Sequence, residues 1–303
     1  MDLYDVIIIG GGPAGLNAAI VLGRSRRRVL LFDHGKQRNL QSQGMHNYLT
    51  RDDIKPVDFL KTAKKEAKKY GVTIKHLQVN DAHKKNKSHF TVSDNHRKIY
   101  HSKKLILATG LKDKLPEIKG AKILYGKSMF HCPYCDAWEV ADKNISVYGK
   151  TKAGFELAKT LTRWSNSITL FTDGKKYLRR NDKLLLKRQN IQFITTPLAE
   201  FESRKGMLKN IVLINGLKIS SDALFFSNGY EVQCDLIESL GCTLGKNNLA
   251  LTTKSQKTNI KGLYVAGDAA KDMHFVVVAS AEGAKAGVYV NKELMEEEIH
   301  YPT

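Results

Sequence analysis

Val6-Ile7-Ile8-Ile9-Gly10-Gly11-Gly12-Pro13-Ala14-Gly15 is the stretch that decides the fold. Four β-branched residues in a row suit a parallel strand buried on both faces. The run passes directly into glycines, and Leu16 to Leu22 then reads as a helix packed by small residues. A second apolar run, Val29-Leu30-Leu31-Phe32, ends at Asp33 and completes a βαβ unit. Gly10 permits the tight turn, Gly12 lets backbone approach a pyrophosphate, and Gly15 lets helix and strand pack closely, with Pro13 and Ala14 between them. The helix N-terminus offers free amides and partial positive charge to phosphates. Asp33 lies where a carboxylate would accept ribose hydroxyls.

The pattern recurs at Ile145-Ser146-Val147-Tyr148, which leads into Gly149-Lys150-Thr151-Lys152-Ala153-Gly154 and a helix through Leu161. Ile168 to Phe171 follows as the second strand, ending near Asp173, and Thr151 stands where a middle glycine is expected. Two further strands, Leu105-Ile106-Leu107 closing on Ala108-Thr109-Gly110 and Leu263-Tyr264-Val265 closing on Ala266-Gly267-Asp268, lie on either side of this second unit. Asp268, at the carboxyl end of its strand, is placed for a ribityl or phosphate-linked hydroxyl. The expected class is α/β, with two Rossmann-like three-layer nucleotide-binding domains, the second inserted into a discontinuous first. The first takes residues 1–113 and 236–303; the second takes 114–235. Pro56 to Tyr70 reads as an amphipathic helix covering the first sheet, and Ser88 to Ser93 with Lys98 to Tyr100 as a short hairpin.

The 303 residues are 42% hydrophobic and 26% charged, which excludes a disordered or fibrous chain. The net charge is +19, and 13 Lys/Arg against 3 Asp/Glu fall between Lys61 and Lys104. Such a surface suits an acidic protein or a phosphorylated cofactor, but no aromatic interleaving or helix-turn-helix pattern supports nucleic acid. No apolar run approaches the roughly 18 to 20 residues of a membrane helix, and with a strand pattern already starting at Tyr4 no secretory leader is expected. A cytoplasmic location is expected. There, four cysteines with one pair at CxxC spacing point to chemistry or metal before structural disulfides.

That pair is Cys132-Pro133-Tyr134-Cys135. Zinc would want a second ligand pair, and Cys234 and Cys242 are spaced too far apart to supply one. Pro133 favours a helix starting just after Cys132, which sets the sulfurs at a helix N-terminus and favours a thiolate. Asp136 follows and can exchange the proton of a leaving thiolate. Trp138 is read as a packing residue, with an apolar substrate pocket as the alternative. The dithiol sits just before the second nucleotide-type strand, so it is mounted on the inserted domain and can face the first domain's cofactor.

Together, these motifs resemble the low-molecular-weight thioredoxin reductase family of flavin-dependent pyridine nucleotide disulfide oxidoreductases. The resemblance implies FAD in the first domain, a pyridine-nucleotide-type inserted domain and a homodimer. It also implies that Cys135 is the sulfur nearer the flavin, Cys132 the one that exchanges with substrate, Asp136 the proton donor, and Asn47 a residue of the flavin-side loop. The partner so implied is a thioredoxin-like protein or a small dithiol or disulfide.

Three departures qualify this resemblance. CPYC with Asp136-Ala137-Trp138-Glu139, Arg163-Trp164-Ser165-Asn166 and Phe171-Thr172-Asp173-Gly174 is closer to a branch containing dithiol oxidases, which close disulfides in products such as gliotoxin and holomycin. Those oxidases usually carry His after the second Cys, whereas Asp136 is reductase-like. The inserted domain lacks the His-Arg-Arg cluster that holds NADPH's 2′-phosphate. Lys175, Lys176, Arg179 or Arg180 would substitute, or Asp173 would favour NADH, or an acidic protein such as ferredoxin would deliver the electrons. His274-Phe275 replaces the usual Arg-Gln after the last Gly-Asp motif.

Overall fold

A computed structural model describes residues 3–85, 89–271 and 273–300. The chain runs β1 (Leu3–Ile9), α1 (Pro13–Arg24), β2 (Val29–Phe32), α2 (Pro56–Lys69), β3 (Thr73–Lys75), β4 (Val79–Lys84), β5 (Phe90–Asp94) and β6 (Ile99–Leu107). It continues through β7 (Leu111–Asp113), α3 (Ala121–Leu124), β8 (Met129–Phe130), α4 (Pro133–Asp136), β9 (Ile145–Tyr148), α5 (Lys152–Leu161), β10 (Ile168–Phe171), α6 (Arg180–Arg188) and β11 (Ile191–Ile194). The remainder is β12 (Leu198–Arg204), β13 (Met207–Leu213), β14 (Lys218–Ser220), β15 (Ala223–Phe226), β16 (Tyr230–Val232), α7 (Leu236–Ser239), β17 (Leu263–Val265) and α8 (Val276–His300).

The β-branched run does what its pattern requires. Val6 to Ile9 are buried in β1, which pairs in parallel with β2 on one side and β6 on the other. The first sheet runs β3-β2-β1-β6-β5-β4, with β17 also paired to β6. Leu263 lies opposite Leu105, so the chain returns to this sheet after an excursion of more than a hundred residues. Small residues let α1, the β1–β2 crossover, pack tightly against α8. The hairpin read as separate strands is an antiparallel extension, and its second half merges with Leu105 to Leu107 into the single strand β6. Ser88 lies outside the described residues; the first half starts at Phe90.

The second sheet, β11-β10-β9-β15-β8, is parallel throughout. One face is covered by α5 and α6, the other by the antiparallel β12-β13-β14. This gives the expected three layers. The two sheets communicate through β7 and β16, which pair with Tyr230 opposite Asp113 and Val232 opposite Leu111. Both passages of the chain therefore cross side by side, and whatever grips this ribbon sets the relation of the sheets. Among the described residues, no helix is long and apolar enough to cross a membrane.

Candidate functional site

A cleft of about 1280 Å³, its open mouth included, begins at the Gly10–Ala14 loop and reaches Cys135 and Asp136. Ala108, Thr109, Gly110, Gly267 and Asp268 line it, as do His274 and Phe275. The sequence motifs from both halves of the first sheet thus converge with the CxxC segment on one cavity.

At its floor, Gly12 is the N-cap of α1 with no side-chain cap, so the first-turn amides keep their donors for a ligand. A Cβ on Gly12 would meet nothing nearer than 3.9 Å, whereas one on Gly15 would come within 1.9 Å of the Gly10 carbonyl oxygen. Gly12 is the open position and Gly15 the packed one, as the motif requires. These features fit the FAD that the resemblance implies. Gly15→Ala is accordingly expected to separate β1 from α1 and yield protein without retained flavin; a yellow Gly15→Ala protein with full flavin absorbance contradicts this seat.

Asp33 is placed differently from the expectation. It is fully buried and stands off the cavity wall. Its carboxylate pairs with Lys64 Nζ at 2.5 Å and accepts from Gln37 Nε2 at 2.6 Å and the Gly35 amide at 2.9 Å. Burial would raise this carboxyl, but Lys64 and the Gly35 amide hold it below the usual range. The polar stretch His34 to Asn39, free of large apolar side chains, lines the cleft in front of it.

Arg38 in that stretch has no counterpart in the sequence reading. Its Nε and Nη2 grip Asp113 at 2.9 and 2.5 Å, and its Nη1 reaches Asp268 at 3.2 Å. Tyr125 donates its hydroxyl to the same Asp113 carboxylate, and His131 Nδ1 stands 3.5 Å from it. Asp113 is thus held from the first sheet's side by Arg38 and from the inserted segment by Tyr125 and His131. Burial pushes His131 down to about 4 against the pull of Asp113, so its ring is neutral at physiological pH.

Cys132 and Cys135 are joined as a disulfide, with Cα atoms 5.3 Å apart. Cys132 is the N-cap of α4 and Pro133 its first residue, as read, but α4 is a single turn. So short a helix has few aligned peptide dipoles, and thiolate stabilisation from that source is correspondingly small. Cys135 is on the cavity wall. Trp138 corrects the expectation of a packing residue, being 79% exposed, and Tyr134 and Leu49 are exposed as well. Tyr134 rests edge-on against Trp164 at 5.6 Å.

Asn47 is placed against the CxxC turn rather than on the cavity wall. Its Nδ2 donates to the Tyr134 carbonyl at 2.7 Å. The neighbouring His46, which does line the cavity, stands 3.3 Å from Glu139 Oε1 and 3.5 Å from Asp52 Oδ2. Asp136 is half-buried; burial pushes its carboxyl up to about 7, Glu139 adding to the rise and His46 opposing it. A carboxyl poised there can give and take a proton near neutrality.

In the second βαβ unit, Gly149 and Gly154 face each other so closely that a Cβ on Gly149 would lie 2.3 Å from Gly154 Cα. Their demonstrable job is β9–α5 packing. Asp173, the NADH-selective acid of the sequence reading, is already engaged: Lys150 Nζ is 2.8 Å away, the Tyr148 hydroxyl donates at 3.0 Å and the Leu198 amide at 2.9 Å. The loop thus binds its own acid. Asp173 is thus fully engaged within its own domain as these side chains stand. Lys175, Lys176, Arg179 and Arg180 are exposed.

A family model for pyridine nucleotide-disulphide oxidoreductases matches residues 4–283. A probable thioredoxin reductase of Arthroderma benhamiae is 29% identical, over 97% of this chain and 81% of the relative. The crystal structure of a putative thioredoxin reductase from Bacillus anthracis superposes with a TM-score of 0.93 at 30% identity, covering 97% of this chain and 99% of that one. The structure of HlmI superposes at 0.94 and 30% identity, covering 98% and 94%. With two Rossmann-type sheets, a flavin-compatible cleft and a CxxC disulfide on its wall, the chain belongs to the pyridine nucleotide-disulphide oxidoreductases, as a thioredoxin reductase-like flavin enzyme that uses FAD.

Proposed function

We propose that the protein moves two electrons between FAD, the Cys132/Cys135 pair and an external disulfide such as that of a thioredoxin-like protein. The observation that carries this reading is that Cys135 and the Gly10–Ala14 loop line one cavity. Bound in that cavity, FAD would supply a two-electron store. The cofactor seat is Gly10, Gly12, Pro13, Ala14 and Gly15, with Ala108, Thr109 and Gly110 from β6 and Gly267 and Asp268 after β17. Arg38 pins Asp268, and Asp33 stiffens the loop behind the seat.

At the disulfide, Cys135 faces the cofactor and Cys132 exchanges with the external partner. Asp136 holds the proton that the leaving sulfur needs. Its raised carboxyl is protonated below about pH 7 and loses that capacity above it, so the exchange step slows as pH rises through that value. The inserted segment 114–235 carries the pair to the first domain, and a homodimer in the cytoplasm is the expected assembly.

A second reading is favoured by the Lys150–Asp173 contact: electrons enter from a small dithiol and leave to oxygen, or an acidic protein such as ferredoxin supplies them. Exposed Leu49, Tyr134 and Trp138 near the disulfide suit an apolar dithiol. The deciding experiment is anaerobic mixing of the yellow protein with NADPH, NADH, reduced ferredoxin or a small dithiol. Bleaching by a small dithiol is expected on either reading; peroxide formation in air without bleaching by nicotinamides selects the oxidase. Failure of every donor to bleach the flavin overturns the proposed function.

A further inference from the structure

We propose that the groove between α6 and the free edge of β11 is a docking site for an extended acidic segment of a partner protein, which adds to the second sheet as a further strand.

β11 ends the second sheet and pairs with β10 alone. Ile194 lies opposite Phe171, and its carbonyl accepts from the Thr172 amide at 3.0 Å, so its main chain is turned to β10. In a parallel ladder the N–H and C=O of one residue face the same neighbour, and the direction alternates along the strand. The main-chain groups of Ile191 and Phe193 are therefore turned to the open side, where no strand pairs with them among the described residues. Such an edge is a ready template for another strand.

The side chains around it select what can approach. Arg180, Lys183 and Lys187 of α6 line the groove together with Phe193, and their spacing puts them on one helix face. All three are exposed, and none enters an ion pair among the described residues. No Asp or Glu lines the groove. Asp182, within the same helix, is taken elsewhere: Lys152 Nζ is 2.7 Å away, and the Arg179 amide donates to it at 3.0 Å. Lys183 Nζ stands 5.9 Å from the Phe193 ring centroid, so its charge lies over the edge strand itself.

Unpaired cations beside an edge repel a basic strand and leave a neutral one with no compensation for desolvating them. A strand with a carboxylate at every second position meets both demands. Ile191 and Phe193 share the α6 face, where they pack with Leu186, so the carboxylates of an added strand fall on that side, toward the three cations. The intervening side chains fall on the face of Gln192 and Ile194. A nucleic acid carries the charge but has no amide ladder to offer Ile191 and Phe193. Residues 114–235, which include this groove, also carry Cys132 and Cys135, so capture here brings an acidic partner to the segment that bears the disulfide.

The test titrates flavin-loaded protein with three fluorescein-labelled probes of matching charge: a seven-residue peptide alternating Glu and Val, one alternating Glu and Pro, and a DNA oligonucleotide. The Glu-Val peptide is expected to bind on the order of 10-fold more tightly than the other two, because only it adds main-chain pairing to charge. Its affinity should fall as salt rises from about 50 mM to about 300 mM. Lys183→Glu with Lys187→Glu should weaken it by about 10-fold or more, while flavin retention and disulfide turnover stay unchanged. By NMR, the peptide should slow amide hydrogen exchange at Ile191 and Phe193 but not at Gln192 and Ile194, whose amides β10 already holds. Equal binding of all three probes, or unaltered exchange at Ile191 and Phe193, overturns strand addition and reduces the groove to a polyanion surface. Absence of binding by the Glu-Val peptide at about 1 mM, or undiminished binding in the double variant, overturns the site and leaves the cations as guards of the edge.

Discussion

Cys135→Ser is expected to lower disulfide turnover on the order of 10³-fold or more while the protein stays yellow. Cys135 is on the cavity wall but contributes nothing to the Gly10–Gly15 seat, so flavin retention and turnover should separate cleanly. A serine hydroxyl does not ionise near neutrality and cannot form the internal disulfide, which removes the only described cysteine that lines the cofactor cleft. Cys132→Ser should be equally inactive for a different reason. It leaves a thiol on the cavity wall but none to accept the external partner. Turnover with an external disulfide and the flavin absorbance of each purified variant are the measurements. Retained turnover in either variant would falsify the assignment, and a colourless Cys135→Ser protein would show that the sulfur also serves the seat.

The parts of this site legible in the sequence are those whose meaning is local. Gly10 to Gly15 and Cys132 to Cys135 are contiguous, and each turn's geometry follows from its own residue types. The discontinuous first sheet was readable from Leu105 to Gly110 and Leu263 to Asp268, because both are apolar runs closed by small residues. Arg38, Asp113, Tyr125 and His131 were not, since each is unremarkable alone and they meet only where β7 carries the chain from one sheet to the other.

The two carboxylates that spacing places at ribose positions share one feature. Asp33 and Asp173 both end the second strand of a βαβ unit, where spacing assigns a ribose contact, and in both the domain's own lysine arrives first. Lys64 belongs to the amphipathic helix α2, and Lys150 follows Gly149 in the turn after β9. The consequence differs. Lys64 approaches from α2, away from the cavity wall, and the cleft stays open, whereas Lys150 belongs to the very loop that would cradle a phosphate. Part of the basic excess is likewise internal: Lys104 is buried against Glu293 and Glu297 of α8.

Arg38→Met should be the most damaging substitution outside the disulfide, at about 3–5 kcal/mol, because it strands carboxylates that the fold has already buried. The Asp113 side chain is 3% exposed, and without Arg38 only the Tyr125 hydroxyl and the half-buried His131 remain beside it. In the intact protein, burial raises the Asp113 carboxyl, but Arg38's hydrogen bonds and charge, with His131, hold it below the usual range. A carboxyl depressed on folding contributes stability that is present above its unfolded value, near 3.9, and is lost as pH falls through the folded value. Remove Arg38 and the sign reverses: Asp113 is raised on folding, and the variant is penalised once pH exceeds the unfolded value. The stability gap between the two proteins is therefore widest at neutral pH and narrows below about pH 4. Urea midpoints at pH 7 and at pH 4 measure it, and a gap that is the same at both would contradict the burial argument. Arg38→Lys should recover little, since one ammonium cannot replace a fork that holds Asp113 bidentately and Asp268 with its third nitrogen. Because Asp113 ends one strand of the β7–β16 ribbon, the same variant loosens the grip that keeps Cys135 on the cofactor wall, so its turnover should fall even in protein that remains folded.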